Sequence, residues 1–110
     1  MLDFFKHIFA KAEYDLDGED FYKKFLEDGG NAVLLDVRTQ NEYAMGTIKG
    51  SKNIDFYSNT FQDKINALDK NKTYYVFCRS GNRSGKACQL MTDKGMKAFN
   101  LDGGIGAWPG

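Results

Sequence analysis

The sequence has no excess of either charge. Fifteen lysines and arginines balance fifteen aspartates and glutamates, for a formal net charge of zero. A nucleic-acid-binding domain usually carries a basic surplus, so nucleic acid is not an expected partner. No run of about 20 apolar residues is present, the length a helix needs to cross a bilayer, so no membrane partner is expected either. Met1 to Ala10 carries acid and base near its start and only a short apolar character, unlike a secretory leader. A cytoplasmic location is the expectation. Histidine occurs once, as His7, in an N-terminal segment outside the predicted core. A Cys–His hydrolase needs its base within hydrogen-bond reach of the thiol, and His7 is expected to be a surface residue instead. Cysteine occurs twice, as Cys78 and Cys88. Two cysteines and one remote histidine lack the closed ligand spacing of a zinc site, so no metal is expected. The two thiols are expected to be free, which suits a reducing compartment. Repeats, low-complexity tracts and linkers are missing too. A chain of 110 residues is therefore expected to be one domain able to bury its own core.

What is present reads as alternating strands and helices. Leu2, Phe5, Ile8 and Phe9 stand at roughly helical spacing, so residues 1–13 are expected to be an extension carrying a short amphipathic helix, with the domain covering 14–110. Asp17 is an N-cap candidate for a helix with Glu19 and Asp20 in its first turn, with Phe21, Phe25 and Leu26 as its buried face. Gly29 and Gly30 end it, because glycine tolerates the left-handed conformation. Ala32 to Val37 is apolar without alternation, as a strand buried on both faces should be, with Asp36 near its end. Thr39 and Glu42 match a capping box, and Gly46 stops the short helix it opens. A turn and a short strand follow within residues 48–54. Ser58 or Thr60 opens a helix with Phe61, Ile65 and Leu68 on one face, and Asn71-Lys72 turns into a strand over Tyr74–Phe77. A helix from about Ser84 to Gly95 and a last strand from Lys97 to Leu101 complete the pattern. This is an α/β domain with a central, mostly parallel sheet flanked by helices on both faces. Ligands bind beyond the carboxyl ends of such strands, so Asp36 to Arg38 and Cys78 to Arg83 are expected at one edge of the sheet.

The chemistry is concentrated in one stretch. Tyr74 to Phe77 runs straight into Cys78, and Arg79-Ser80-Gly81-Asn82-Arg83-Ser84 separates that cysteine from the next helix. A loop of this kind can aim successive backbone N–H groups inward as an anion-binding nest, and the helix adds its positive N-terminal end. Arg79, Arg83 and Lys86 add charge, and no acid lies between Cys78 and Lys86. All of this favours a thiolate, which is the nucleophilic form. Cys88 falls at helical spacing with Ala87 and Met91 and reads as packing.

The stretch Cys78-Arg79-Ser80-Gly81-Asn82-Arg83-Ser84 resembles the active-site loop of rhodanese domains, sulfurtransferases that carry sulfur as a cysteine persulfide. Leu35-Asp36-Val37-Arg38, continuing through Glu42-Tyr43, Gly46-Thr47-Ile48, Gly50 and Asn53-Ile54, is similar to the family's upstream motif. Leu101-Asp102-Gly103-Gly104 with Trp108 is similar to its C-terminal motif. The motifs stand in the family's order across residues 14–108. Thr47 is a departure, since the family often has His there, and it bears on substrate preference. The resemblance implies a single rhodanese-like domain with Cys78 as nucleophile. It implies transfer of sulfur from a small anionic donor such as thiosulfate to cyanide, a thiol or a protein acceptor. Arg79, Arg83 and Arg38 are expected to meet the anionic donor. Ser80, Gly81 and Asn82 would contribute backbone, and Asp36 and Ser84 would support the site. Arg38 has a second reading, as the ion-pair partner of Glu42. No metal or organic cofactor is implied, and a monomer is expected. A cysteine phosphatase also places a thiolate in an anion-binding loop, but loops of that family have five residues between Cys and Arg, where four precede Arg83 here. A sulfur-relay or regulatory module acting on a protein partner is the alternative from another class.

Overall fold

The computed structural model describes residues 12–110. The N-terminal helix expected around Leu2 to Phe9, and His7 with it, lies outside the described residues. Five strands form one sheet: β1 (Asp15–Leu16), β2 (Ala32–Asp36), β3 (Lys52–Asn53), β4 (Thr73–Phe77) and β5 (Lys97–Leu101). They are arranged β1-β5-β4-β2-β3, and every pairing is parallel. Four helices connect them: α1 (Gly18–Asp28), α2 (Gln40–Ala44), α3 (Phe61–Asn66) and α4 (Asn82–Asp93). Among the described residues, no helix is long and apolar enough to cross a membrane.

β4 lies between β5 and β2 and is buried along its whole length. Because side chains alternate across a strand, it feeds two cores. Tyr74, Val76 and Cys78 join Phe61 and Ile65 of α3 and Ala87, Cys88 and Met91 of α4 on one face. Tyr75 and Phe77 join Phe21 of α1, Leu101, Ile105 and Trp108 on the other. Phe21 meets the Tyr75 ring edge to face at 5.3 Å, and Trp108 closes over Tyr22 and Phe25 at 4.8 and 5.7 Å. The chain's last aromatic residue therefore covers α1.

The local signals produce the expected ends. Asp17 accepts from the Asp20 N–H at 2.9 Å. Thr39 and Glu42 form both halves of the capping box. Three expectations are corrected. Leu26 is 57 % exposed, so α1 buries Phe21 and half-buries Phe25 but turns Leu26 to solvent. α4 begins at Asn82, with Gly81 in the left-handed N-cap position, two residues earlier than the pattern suggested. β1 has no counterpart in the sequence reading, because two residues show no periodicity. Its pairing depends on β5, far along the chain.

Candidate active site

Asp36 ends β2 and Cys78 follows β4. These are adjacent strands in register, so both residues sit at the carboxyl edge of the sheet, as expected. Each segment is then shaped by a different set of contacts.

The Cys78 side chain is 0 % exposed. Its Sγ accepts hydrogen bonds from the Gly81 N–H at 3.1 Å, the Ser84 N–H at 3.4 Å and the Ser84 hydroxyl at 3.2 Å. Burial pushes the thiol up. Hydrogen bonds from the Ser84 hydroxyl and from the backbone N–H groups outweigh it, and the group ends below its ordinary value. The donors lie where a reversing loop meets the first turn of a helix, whose leading N–H groups have no carbonyl partner within the helix. Cys88 is buried beneath the same sheet face without such donors. Burial, with smaller effects from the charges of Asp15 and Cys78, pushes it well up.

The loop is held in shape from the far end of the chain. Ile105 donates its N–H to the Cys78 carbonyl at 2.8 Å. Asn100 donates from Nδ2 to the Gly81 carbonyl at 3.1 Å and to Asp15 Oδ1 at 2.8 Å. Gly104 lies so close beneath the loop that a Cβ there would stand 1.9 Å from the Arg79 carbonyl oxygen, and its φ is +79°. Gly81 has φ +96°, and its open side faces the Leu101 carbonyl. Gly104 thus acts as a buttress beneath the loop.

The arginines are distributed differently from the expectation. Arg38 is turned onto Asp36, with Nε to Oδ1 at 3.0 Å and Nη2 to Oδ2 at 2.7 Å, and Nη2 also donates to the Gly46 carbonyl at 2.6 Å. Asp36 in turn accepts from the Thr47 hydroxyl at 2.8 Å. Thr47, where the related pattern often has His, thus holds the carboxylate that holds Arg38. The expected Arg38–Glu42 pair is corrected: Glu42 belongs to Arg83. Arg83 donates from Nη1 to Oε1 at 2.7 Å and from Nη2 to Oε2 at 3.2 Å. The Arg83 guanidinium also lies 5.5 Å from the centre of the exposed Tyr57 ring. Among the described residues Arg79 has no ion pair; it is exposed, as are Ser80 and Asn82. Glu42 and Tyr57 were not expected as neighbours of the loop. The Thr39–Glu42 capping signal was visible, but the pairing across 41 positions was not.

A parallel α/β sheet thus places a buried, hydrogen-bonded cysteine between a central strand and a helix N-terminus. The chain belongs to the rhodanese-like domain family, whose model matches residues 19–110. It is 36% identical over 88 residues to YtwF of Bacillus subtilis, whose name makes it a candidate sulfurtransferase, covering 80% of this chain and 84% of that one. It is 35% identical over 78 residues to the thiosulfate sulfurtransferase GlpE of Pseudomonas fluorescens, covering 70% of each chain. A crystal structure of a rhodanese-like domain protein from Staphylococcus aureus superposes with a TM-score of 0.72 at 34% identity, over 86% of this chain and 89% of that one. These relatives support a transferase of the rhodanese type.

Proposed function

We propose that this chain is a sulfurtransferase that carries sulfane sulfur on Cys78, loading it from an anionic donor such as thiosulfate and passing it to cyanide, a thiol or a protein acceptor. The observation that carries the reading is the set of hydrogen bonds from Gly81 and Ser84 to Cys78 Sγ, which favour the thiolate. Thiosulfate is the donor named for the GlpE relative. In the first step the Cys78 thiolate attacks the outer sulfur of thiosulfate. A new S–S bond forms, the donor's S–S bond breaks, and sulfite leaves with the electron pair. In the second step the acceptor attacks the outer sulfur of the persulfide, and the thiolate is regenerated. The donors that hold the thiolate also suit the anionic persulfide. Arg79 is the cation open to the donor, and Ser80, Gly81 and Asn82 line the loop with backbone. Asp36 and Arg38 brace the adjoining segment. The fully covered Sγ means that the loop rim yields when donor enters. The free thiol fits a monomer working in a reducing, cytoplasmic setting.

Intact-mass spectrometry tests this. After thiosulfate, the wild type should gain about 32 Da, one sulfur atom, and lose it to cyanide as thiocyanate, while Cys78→Ser gains nothing. An adduct that persists in Cys78→Ser, or a wild type that takes up no sulfur from thiosulfate or from a persulfide donor, would overturn it.

A further inference from the structure

The loop sequence carries two arginines, yet the structure leaves one of them with its charge unopposed. Arg83 is bound through both Nη atoms by the two oxygens of Glu42. Both partners are mostly shielded, with 17 % of the Arg83 side chain and 30 % of the Glu42 side chain exposed. Glu42 is fixed before it meets Arg83, because its Oε1 also accepts from the Thr39 N–H at 3.0 Å and the Thr39 hydroxyl at 3.2 Å. On its other side, Arg83 faces the Tyr57 ring. Arg38 is neutralised in the same manner by Asp36. A forked pair of this kind has no net charge, so its field falls off as a dipole's does. An unpaired guanidinium in the same place would attract an anion at longer range.

We infer that Glu42 sets the charge preference of the Cys78 site: by holding Arg83 as a neutral pair, it leaves Arg79 as the loop arginine without a counter-ion among the described residues, so the mouth favours a dianion less than two free arginines would and also admits sulfur donors of low charge, such as an alkyl or protein persulfide. This rests on the sulfur-transfer reading and specifies its substrate class. The hydrogen bonds from Arg83 hold the Glu42 carboxyl down at about 2, so the pair is fully ionised at neutral pH. Arg83 directly precedes Ser84, whose N–H and hydroxyl donate to Cys78 Sγ, so it stands beside the cradle. Glu42 is a positioning residue here. It acts through Arg83 and makes no contact with Sγ.

The test uses charge as its readout. Iodoacetate and iodoacetamide both alkylate a thiolate with loss of iodide and differ by one negative charge. The rate ratio of the two at Cys78 is measured on the intact protein by mapping the modified peptide. Glu42→Gln keeps an oxygen for the Thr39 N–H but frees the charge of Arg83; it should raise the iodoacetate-to-iodoacetamide ratio about three- to tenfold, more at low salt. Arg83→Gln leaves Glu42 unopposed and should lower the ratio by a similar factor. Glu42→Gln should also lower the KM for thiosulfate, a dianion, more than that for benzenethiosulfonate, a monoanion. A structural role alone would move both donors and both reagents together, and ratios that stay put or shift in the same direction in both variants would overturn the inference. Ratios that move as expected in a protein whose Cys78 takes no sulfur would uphold the charge setting and overturn the sulfur-transfer reading.

Discussion

Cys78 and Cys88 are a natural comparison within one chain. Both are 0 % exposed, both belong to the same hydrophobic cluster, and they lie on either side of one loop and two helical turns. Burial pushes both thiols up, yet Cys78 ends below the ordinary thiol value and Cys88 well above it. The difference is made by directed N–H and O–H groups. Three of them reach Cys78 Sγ because it stands where the chain reverses into a helix, and Cys88 sits inside that helix, whose N–H groups are already paired along the backbone. Position relative to a helix end decides which of two equally buried thiols is favoured as the thiolate.

The most direct challenge to the comparison is to alkylate both thiols in the folded protein near neutral pH. Cys78 should react at least about 100-fold faster than Cys88, since its loop can yield locally whereas Cys88 requires the helix to leave the sheet. Comparable rates would dissolve the distinction. A smaller effect is expected from Gly104→Ala. The new methyl group would fall on the Arg79 carbonyl, and the φ of +79° is unfavourable for alanine, so the loop must shift. We expect the advantage of Cys78 to fall about tenfold and the fold to lose about 1–3 kcal/mol, read by alkylation kinetics and urea unfolding. Smaller still is Ser84→Ala, which removes the hydroxyl donor but leaves both N–H groups. The Cys78 alkylation profile should have its midpoint below the ordinary thiol value of about 8.5 in the wild type. In Ser84→Ala it should move upward, so that the rate near pH 7 drops about three- to tenfold while the plateau at high pH is kept. The sign follows from the direction of the shift. A depressed thiol is ionised, and reactive, over the window between its folded value and the unfolded one, and each lost donor narrows that window from below. An unchanged profile would mean that the backbone donors alone hold the thiolate.

Much of the scaffold was legible because it is written locally. The Asp17 cap, the Thr39–Glu42 box, the unbroken apolar strands and the reactive loop after Phe77 all depend on residues a few positions apart. That Asp36 and Cys78 stand at one edge of the sheet followed from the rule for parallel sheets; the adjacency of their strands did not. What could not be read was the pairing of charges. Asp36, Glu42, Arg38 and Arg83 were each visible, but which carboxylate takes which guanidinium depends on the tertiary approach of α2 to α4. That approach gave Glu42 to Arg83 and left Arg38 to Asp36. The Leu26 assignment failed for a related reason. An apolar residue beside the buried stripe of α1 is covered only if enough of the chain packs over it, and among the described residues Leu26 stays 57 % exposed.

The contacts from Asn100, Gly104 and Ile105 to the loop have a consequence for the order in which the molecule is made. On the ribosome Cys78 emerges well before the residues that shape its cradle. Until β5 has joined the sheet and the turn after it has closed, the Cys78 carbonyl lacks its Ile105 donor and the Arg79 peptide lacks its floor. An incompletely synthesised chain would therefore carry Cys78 without the distal contacts that hold its loop in shape.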